Sequence, residues 1–544
     1  MPLVTFKYSD FINLLGYNIS MEKLIEKLPM IGGDFSHVTG DEINIEFFPN
    51  RPDLTSVEGI ARASRAFFEF KTGLQTYESA TSNIILTVDP SVKKIRPFVT
   101  TALVKNITMT DELITSLMGL QEKLHVGLGR NRKKVAIGIH NAEAVTPPFI
   151  YKAVDPDTVS FVPLAKNEEM TLREILIKHE KGVNYAQLLE GFDKYPLIID
   201  GLNNVLSFPP IINGSLTEVT PHTKEIFIDV TGTDKKAINY ALNIVTTALA
   251  ERGGKIYRTM VLEDGNKIIS PDFTTMKKNV SVSFINTILG TRFNEKDIAT
   301  CLKKMGHNAV DLGHGRIAVE IAAWRSDILH EVDLVEDVAV GFGFDLFEID
   351  FPKALTFGST TQCHNFLESL RGIMIGAGFN EVTTFVISNE EDEFHSMGLI
   401  KGEMVKIENP IGEEYNGLRM SLLPSLLKLL RENRHHPLPQ QIFEVGVVVD
   451  DQAKNRHYLA GIKIDAKANF TECKSLVETV LRECGHRLVI KEKSHASFIE
   501  GRCACMLKND IEIGVFGELH PKTIQSFHLE HPMIAFELAT DFLL

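Results

Sequence analysis

Apolar residues recur at two spacings along this chain, and each spacing predicts its own kind of element. Helical spacing is clearest in Ala237–Arg252, where Ala241, Ile244, Val245, Ala248 and Leu249 share one face and Gly253-Gly254 ends the run. Strand-like runs stand at Val135–His140, Tyr195–Asp200 and Glu225–Val230, and Met1–Lys7 opens the chain in an alternating pattern. One arrangement of these signals occurs twice. Residues 9–54 and 283–328 align without a gap, pairing Leu15 with Leu289, Gly16 with Gly290, Arg51 with Arg325 and Asp53 with Asp327. Each copy predicts a short helix with a Ser N-cap closed by glycine, from Ser9 to Gly16 and from Ser283 to Gly290. A second helix is capped by Ser20 or Asn294, with Asp297 completing a capping box in the second copy. A strand follows at Glu42–Phe48 or Arg316–Ala322, then a third helix rich in Val, Ile and Ala.

Prolines at 90, 97, 271 and 352 punctuate these segments. The predicted fold class is α+β and multidomain. Two copies of a helix-helix-strand-helix unit, residues 1–88 and 271–346, flank a mixed α/β middle domain at 92–266. A final domain, 352–544, opens on a helix over Gln362–Ile375 and continues as a mainly antiparallel sheet.

Composition narrows the class without naming it. A chain of 544 residues is too long for one core, and 44% hydrophobic with 24% charged residues describes an ordinary globular protein. No apolar run approaches the ~18 residues of a membrane span, and no signal peptide opens the chain, so no membrane partner is expected. Six cysteines are scattered without zinc or thioredoxin spacing, which predicts reduced thiols and a cytoplasmic setting. A formal net charge of −14 argues against gripping nucleic acid over the whole surface. Any RNA substrate would need a local patch or a partner chain to supply positive charge.

Four stretches carry candidate chemistry. Asp333, Glu336 and Asp337 fall at i, i+3 and i+4 on one helical face, with Asp327 upstream and Val332, Val335, Ala339 and Phe342 read as the opposite, anchoring face. Like charges at that spacing repel, a cost that a hard cation such as magnesium removes; a solvated acidic face near a helix N-terminus is the alternative. The first copy has Thr55 and Gly59 where the second has Asp333 and Asp337, so those two acids exceed what the shared scaffold requires. Between residues 190 and 231, Ser207, Asn213, Asp229 and Thr231 offer short oxygen-bearing side chains that either line one pocket or serve as turn and cap residues. Arg130-Asn131-Arg132-Lys133-Lys134 is the strongest basic cluster, fit for phosphates or for a solvated loop. Gly514–Pro521 resembles a phosphate-holding junction but has no Arg or Lys before Lys522, so a triphosphate site there is excluded.

Taken in order, Phe48–Asp53, the run from residue 125 to His140, Ser207–Asn213, Phe227–Thr231, the 325–337 acid motif and Leu418–Leu427 resemble the β subunits of phenylalanyl-tRNA synthetases of the shorter archaeal and eukaryotic type, end to end. The resemblance implies a ligase working as an α2β2 heterotetramer. The α partner would use ATP to charge tRNA-Phe with phenylalanine, and the final domain here would be a class II synthetase-like fold without catalysis of its own. It implies an Mg2+ site shared with the α subunit at Asp327, Asp333, Glu336 and Asp337. It also implies a middle domain that edits tRNA-Phe wrongly charged with tyrosine. Leu197, Ser207, Asp229 and Thr231 match the editing pocket, and Asn213 is added for its proximity. A scaffold subunit with a decayed editing site is the rival expectation.

Overall fold

The computed structural model describes residues 2–351 and 356–543, which divide into two compact units, 1–350 and 351–544. The boundary expected at Pro352 lies outside the described residues.

In the first unit the sequence repeat becomes a structural one. Leu3–Lys7, Gly33–Thr39 and Glu42–Phe47 form a three-stranded antiparallel sheet with the third of these in the centre. Met276–Ser281, Asn308–Gly313 and Arg316–Ile321 repeat that order. Each copy packs three helices with its sheet, Tyr8–Leu15, Met21–Lys27 and Val57–Phe67 in one, Val282–Leu289, Glu295–Lys304 and Glu331–Phe342 in the other. The unit is therefore strand-helix-helix-strand-strand-helix, two strands richer than the predicted helix-helix-strand-helix. The strand Gly33–Thr39 escapes its pattern because it is an edge strand, with only Phe35 and Val38 apolar in a run that is half-buried at most.

The caps follow the sequence with one exception. Gly16 and Gly290 close their helices at φ 74° and 69°, a left-handed conformation that suits glycine. Ser20 and Asn294 accept the expected amide hydrogens, and Asp297 completes its box. Ser9 and Ser283, however, lie inside their helices. Ser281 is the true cap of the second copy, and Ser9 instead hydrogen-bonds Asp41 through both its amide and its hydroxyl.

A ten-stranded sheet forms the middle of this unit, mostly antiparallel, with Ser79–Val88 running parallel to both Lys255–Glu263 and Phe149–Val154. Ser79–Val88 thus belongs to the middle sheet and not to the first repeat. Asn266–Ser270 also joins it, beyond the expected end at 266. The helix Lys235–Glu251 covers one face of this sheet with Ala241, Ile244, Val245, Ala248 and Leu249, as its periodicity predicts. Arg252, at its end, ties the first repeat to the middle domain by pairing with Glu58 at 2.7 Å and Asp10 at 2.6 Å.

The second unit holds a seven-stranded sheet, antiparallel except for the short edge strand Asn380–Glu381. Leu422, Leu423, Leu426, Leu427 and Leu430 are core. The helix Leu423–Glu432 has no side-chain cap of its own. Two distant glutamates do that work: Glu393 accepts the Met420 and Ser421 amides, and Glu537 accepts the Leu422 amide at 2.6 Å. Burial outweighs these bonds and pushes both carboxyls up to about 7. The unfolded chain releases these protons near pH 4.5 while the folded chain keeps them to about 7, so their contribution to stability falls as pH rises through that window. Glu393→Gln is expected to flatten the decline, as read from unfolding midpoints measured between pH 4.5 and 8.

Candidate functional site

The middle sheet carries a cavity of about 520 Å³ on the face of Ile226–Gly232 and Val135–Asn141. Strand alternation puts Asp229 and Thr231 on one face, and the hairpin of Val205–Phe208 with Ile212–Asn213 brings Ser207 and Asn213 to the same space. Four of the five predicted pocket residues, Ser207, Asn213, Asp229 and Thr231, line it. Leu197 does not. It is fully buried behind the wall, in a core cluster that contains Phe161, Leu172 and Ile175 together with the wall residues Phe208 and Ile211.

The walls are mixed: Ile114, Met118, Ile137 and Val219 stand on the apolar side, Glu122, Arg132, Lys181 and Glu218 on the charged side, and Ser207, Asn213, Asp229 and Thr231 are engaged with their neighbours. Ser207 Oγ donates to Asp229 Oδ1 at 3.1 Å. Arg96 Nε donates to Thr231 Oγ1 at 2.9 Å and its Nη2 to the Thr231 carbonyl at 2.7 Å, leaving the threonine hydroxyl hydrogen for another acceptor. Burial lowers Arg96 to about 10. Asn213 Nδ2 donates to the Ile139 carbonyl at 3.2 Å, which leaves its amide oxygen as an acceptor. A buried carboxylate is a strong acceptor for an incoming hydroxyl, because little water competes for it.

Three features of this site were not read from the sequence. Gly138 stands opposite Asp229 across the strand pair, and a Cβ there would lie 2.3 Å from Asp229 Oδ2 and 2.6 Å from His140 Nε2. Only glycine lets the carboxylate lie over that strand. Gly138→Ala is expected to cost about 1–3 kcal/mol through overpacking, measured by chemical unfolding of the full chain. Second, His140 is completely buried beside Asp229, 3.5 Å from Oδ1. Ser207, Asp229 and His140 thus meet, but the carboxylate sits in the middle and takes the serine hydrogen itself. A hydrolytic triad needs the imidazole between the other two, so Ser207 is not an activated nucleophile. Third, Arg132 of the basic cluster is buried, donating to the Pro210 and Ile211 carbonyls and pairing with Glu122 at 3.1 Å. It braces the cavity wall, whereas Arg130 and Lys133 are exposed. Arg130, Asn131 and Arg132 all have positive φ, a tight left-handed turn that no composition signal announces.

The acidic motif folds differently from its expected stripe. Leu334, Val335 and Val338 anchor the helix, and Val332 is exposed at 48%. Arg325 grips Asp327 through three hydrogen bonds from Nε and Nη2 and pairs with Asp337 at 2.8 Å; His307 reaches Asp337 at 2.6 Å. Asp333 Oδ2 accepts the Leu329 and His330 amides. Glu336 is the exposed acid of the four, and partial burial with Asp337, Asp327 and Asp333 nearby raises its pKa. In the first copy Arg51 grips Asp53 in the same way, so the Arg-x-Asp clamp is scaffold. A side chain at Gly59, where the second copy has Asp337, would lie 1.8 Å from the Asp53 carbonyl oxygen. All four acids of the second copy border one cavity of about 240 Å³. Among the described residues no three His, Cys, Asp or Glu side chains converge as ligands. A hydrated magnesium would be held through Glu336 and the free oxygen of Asp333, because the oxygens of Asp327 and Asp337 already accept hydrogen bonds from Arg325.

In the second unit Arg419 is buried, with Nη2 on Glu444 at 2.7 Å, Nη1 on Thr384 and Nε on the Val447 carbonyl. Each nitrogen of its guanidinium is engaged inside the fold.

Residues 349–540 match the phenylalanyl tRNA synthetase beta chain CLM domain, and residues 278–344 match the tRNA synthetase B5 domain. The second repeat and the C-terminal sheet are thus those of an aminoacyl-tRNA synthetase chain. A phenylalanine–tRNA ligase beta subunit of Methanothrix thermoacetophila is 43% identical over 539 residues, 99% of each chain. That of Methanocaldococcus jannaschii is 41% identical over 549 residues, covering 99% of this chain and 100% of the relative. An N-terminal fragment of the phenylalanyl-tRNA synthetase beta subunit from Pyrococcus horikoshii superposes with a TM-score of 0.61 at 38% identity, over 63% of this chain and 100% of the fragment. The chain belongs to the family of phenylalanine–tRNA ligase beta subunits. Among the described residues no helix is long and apolar enough to cross a membrane, and all six cysteines are free.

Proposed function

We propose that this chain is the proofreading and bracing half of a two-chain ligase. In an α2β2 complex the α partner charges tRNA-Phe with phenylalanine at the expense of ATP, while the middle domain here hydrolyses tyrosine wrongly esterified to that tRNA. The observation that carries the editing role is Asp229, a buried carboxylate joined to Ser207 in the cavity wall. An apolar synthetic pocket rejects an added hydroxyl by only about 100-fold, so a second sieve is needed. The cavity inverts that logic: a phenol satisfies Asp229, and the ring edge of phenylalanine leaves it unpaired. With no activated nucleophile at hand, the side chain is clamped here so that a positioned water meets the ester carbonyl. Asp333 and Glu336 are proposed to hold Mg2+ together with groups of the α partner, where the ion supplies charge that relieves the acidic helix face. The buried, fully engaged Arg419 supports leaving adenylate chemistry to the partner.

The test is deacylation by the reconstituted complex, with tyrosyl-tRNA-Phe hydrolysed and phenylalanyl-tRNA-Phe spared. Equal indifference to both esters would leave a scaffold with a decayed pocket. ATP–pyrophosphate exchange by the isolated chain would refute the division of labour.

A further inference from the structure

The acceptor in the cavity is held from behind. His140 is completely buried, and its Nε2 has no hydrogen-bond partner although it stands 3.5 Å from Asp229 Oδ1. Its other nitrogen, Nδ1, lies 2.8 Å from Thr217 Oγ1. A carboxylate facing Nε2 favours the tautomer with the proton on that nitrogen; the Thr217 hydroxyl, which also lies 3.2 Å from the Gly214 carbonyl, then gives its hydrogen to the nearer Nδ1. The strand pairing explains why these groups meet: Gly138 and His140 share a face, and the missing side chain at 138 leaves the opening through which Asp229 reaches the imidazole.

Resting on the editing reading above, we infer that Thr217 and His140 form a positioning relay that fixes the Asp229 carboxylate as the reader of the tyrosine hydroxyl. Ser207 holds the same oxygen from the cavity side. The Asp229 carboxylate is thereby held by the Ser207 hydroxyl on one side and faced by the imidazole edge 3.5 Å away on the other, and the phenol meets an acceptor already oriented. His140 does not line the cavity, so it acts through Asp229 and not on the ester.

The experiment measures deacylation of tyrosyl-tRNA-Phe by the reconstituted complex, separating kcat from KM, in His140→Leu, His140→Gln and Thr217→Val variants. Loss of the N–H in His140→Leu is expected to raise KM about tenfold or more with kcat little changed, since recognition of the phenol is what suffers. Glutamine, which can place an amide N–H near the lost Nε2, should restore most of the affinity, an outcome that a purely space-filling histidine would not produce. Thr217→Val keeps the shape, removes the hydroxyl and should raise KM in the same direction by a smaller factor; because Thr217 also borders the cavity, its effect counts for the relay only if it vanishes in the His140→Leu background, and His140→Gln decides the question if His140→Leu does not fold. Wild-type KM in both His140→Leu and Thr217→Val, alongside an inactive Asp229→Ala, would overturn the relay and leave the pocket standing. A fully active Asp229→Ala would remove the pocket reading and the relay with it.

Discussion

Asp229→Ala is expected to reduce hydrolysis of tyrosyl-tRNA-Phe by about 100-fold or more, because the buried acceptor held in place for the phenol is then gone. The substitution also removes the partner of the Ser207 hydroxyl and leaves a buried donor unpaired. Thr231→Ala should act in the same direction through a different route. It withdraws the acceptor of Arg96 Nε, whose second grip is on the Thr231 backbone, and so loosens the strand that carries Asp229. Single-turnover deacylation of the two esters, measured side by side, checks both. Hydrolysis of the tyrosyl ester at the wild-type rate by Asp229→Ala would show that the carboxylate is only a fold element.

Arg325→Met carries the largest expected loss of stability. It leaves Asp327 and Asp337, both well buried, without the cation they share, and uncompensated buried charge of this kind typically costs about 3–5 kcal/mol. Burial alone would raise the Asp337 pKa, but Arg325 with help from His307 holds it well below the ordinary carboxylate value. A depressed folded-state pKa contributes stability above the unfolded value of 3.8 and loses it as pH falls toward the folded one. The penalty of Arg325→Met should therefore be greatest near neutral pH and shrink on acidification, as the orphaned carboxyl takes up a proton. Urea unfolding of the full chain at pH 7 and pH 4.5 reads this difference. An equal penalty at both pH values would mean that the arginine contributes packing and not charge.

These expectations mark how far the sequence could be read. The caps at Ser20, Asn294 and Gly290 were legible because capping is settled within four residues. The repeat was legible because the copies bury paired positions, with Leu28 and Leu302, and Ile43 and Ile317, all fully enclosed. The site was legible only in part. Ser207, Asn213, Asp229 and Thr231 stand at strand and turn positions whose oxygens already suggested one pocket, but Leu197, carried by resemblance alone, lies in the core behind the wall and not on the cavity surface. Val332 was misplaced for a related reason: helical spacing gives a stripe, but the neighbours decide which side of the helix it occupies.

The sequence alone determined a twice-written scaffold, its helix ends, the alternating strands of the middle domain and a short set of oxygen-bearing residues, because each depends on contacts close along the chain or on burial with a fixed period. Only the tertiary structure decided that Arg325 takes the place of a cation between Asp327 and Asp337, that Arg132 braces a wall instead of facing solvent, and that Gly138 makes room for Asp229 beside His140. Those partners are brought together by strand pairing and loop closure across many residues, and the charge or hydrogen bond that one side chain retains depends on which of its neighbours has already claimed it.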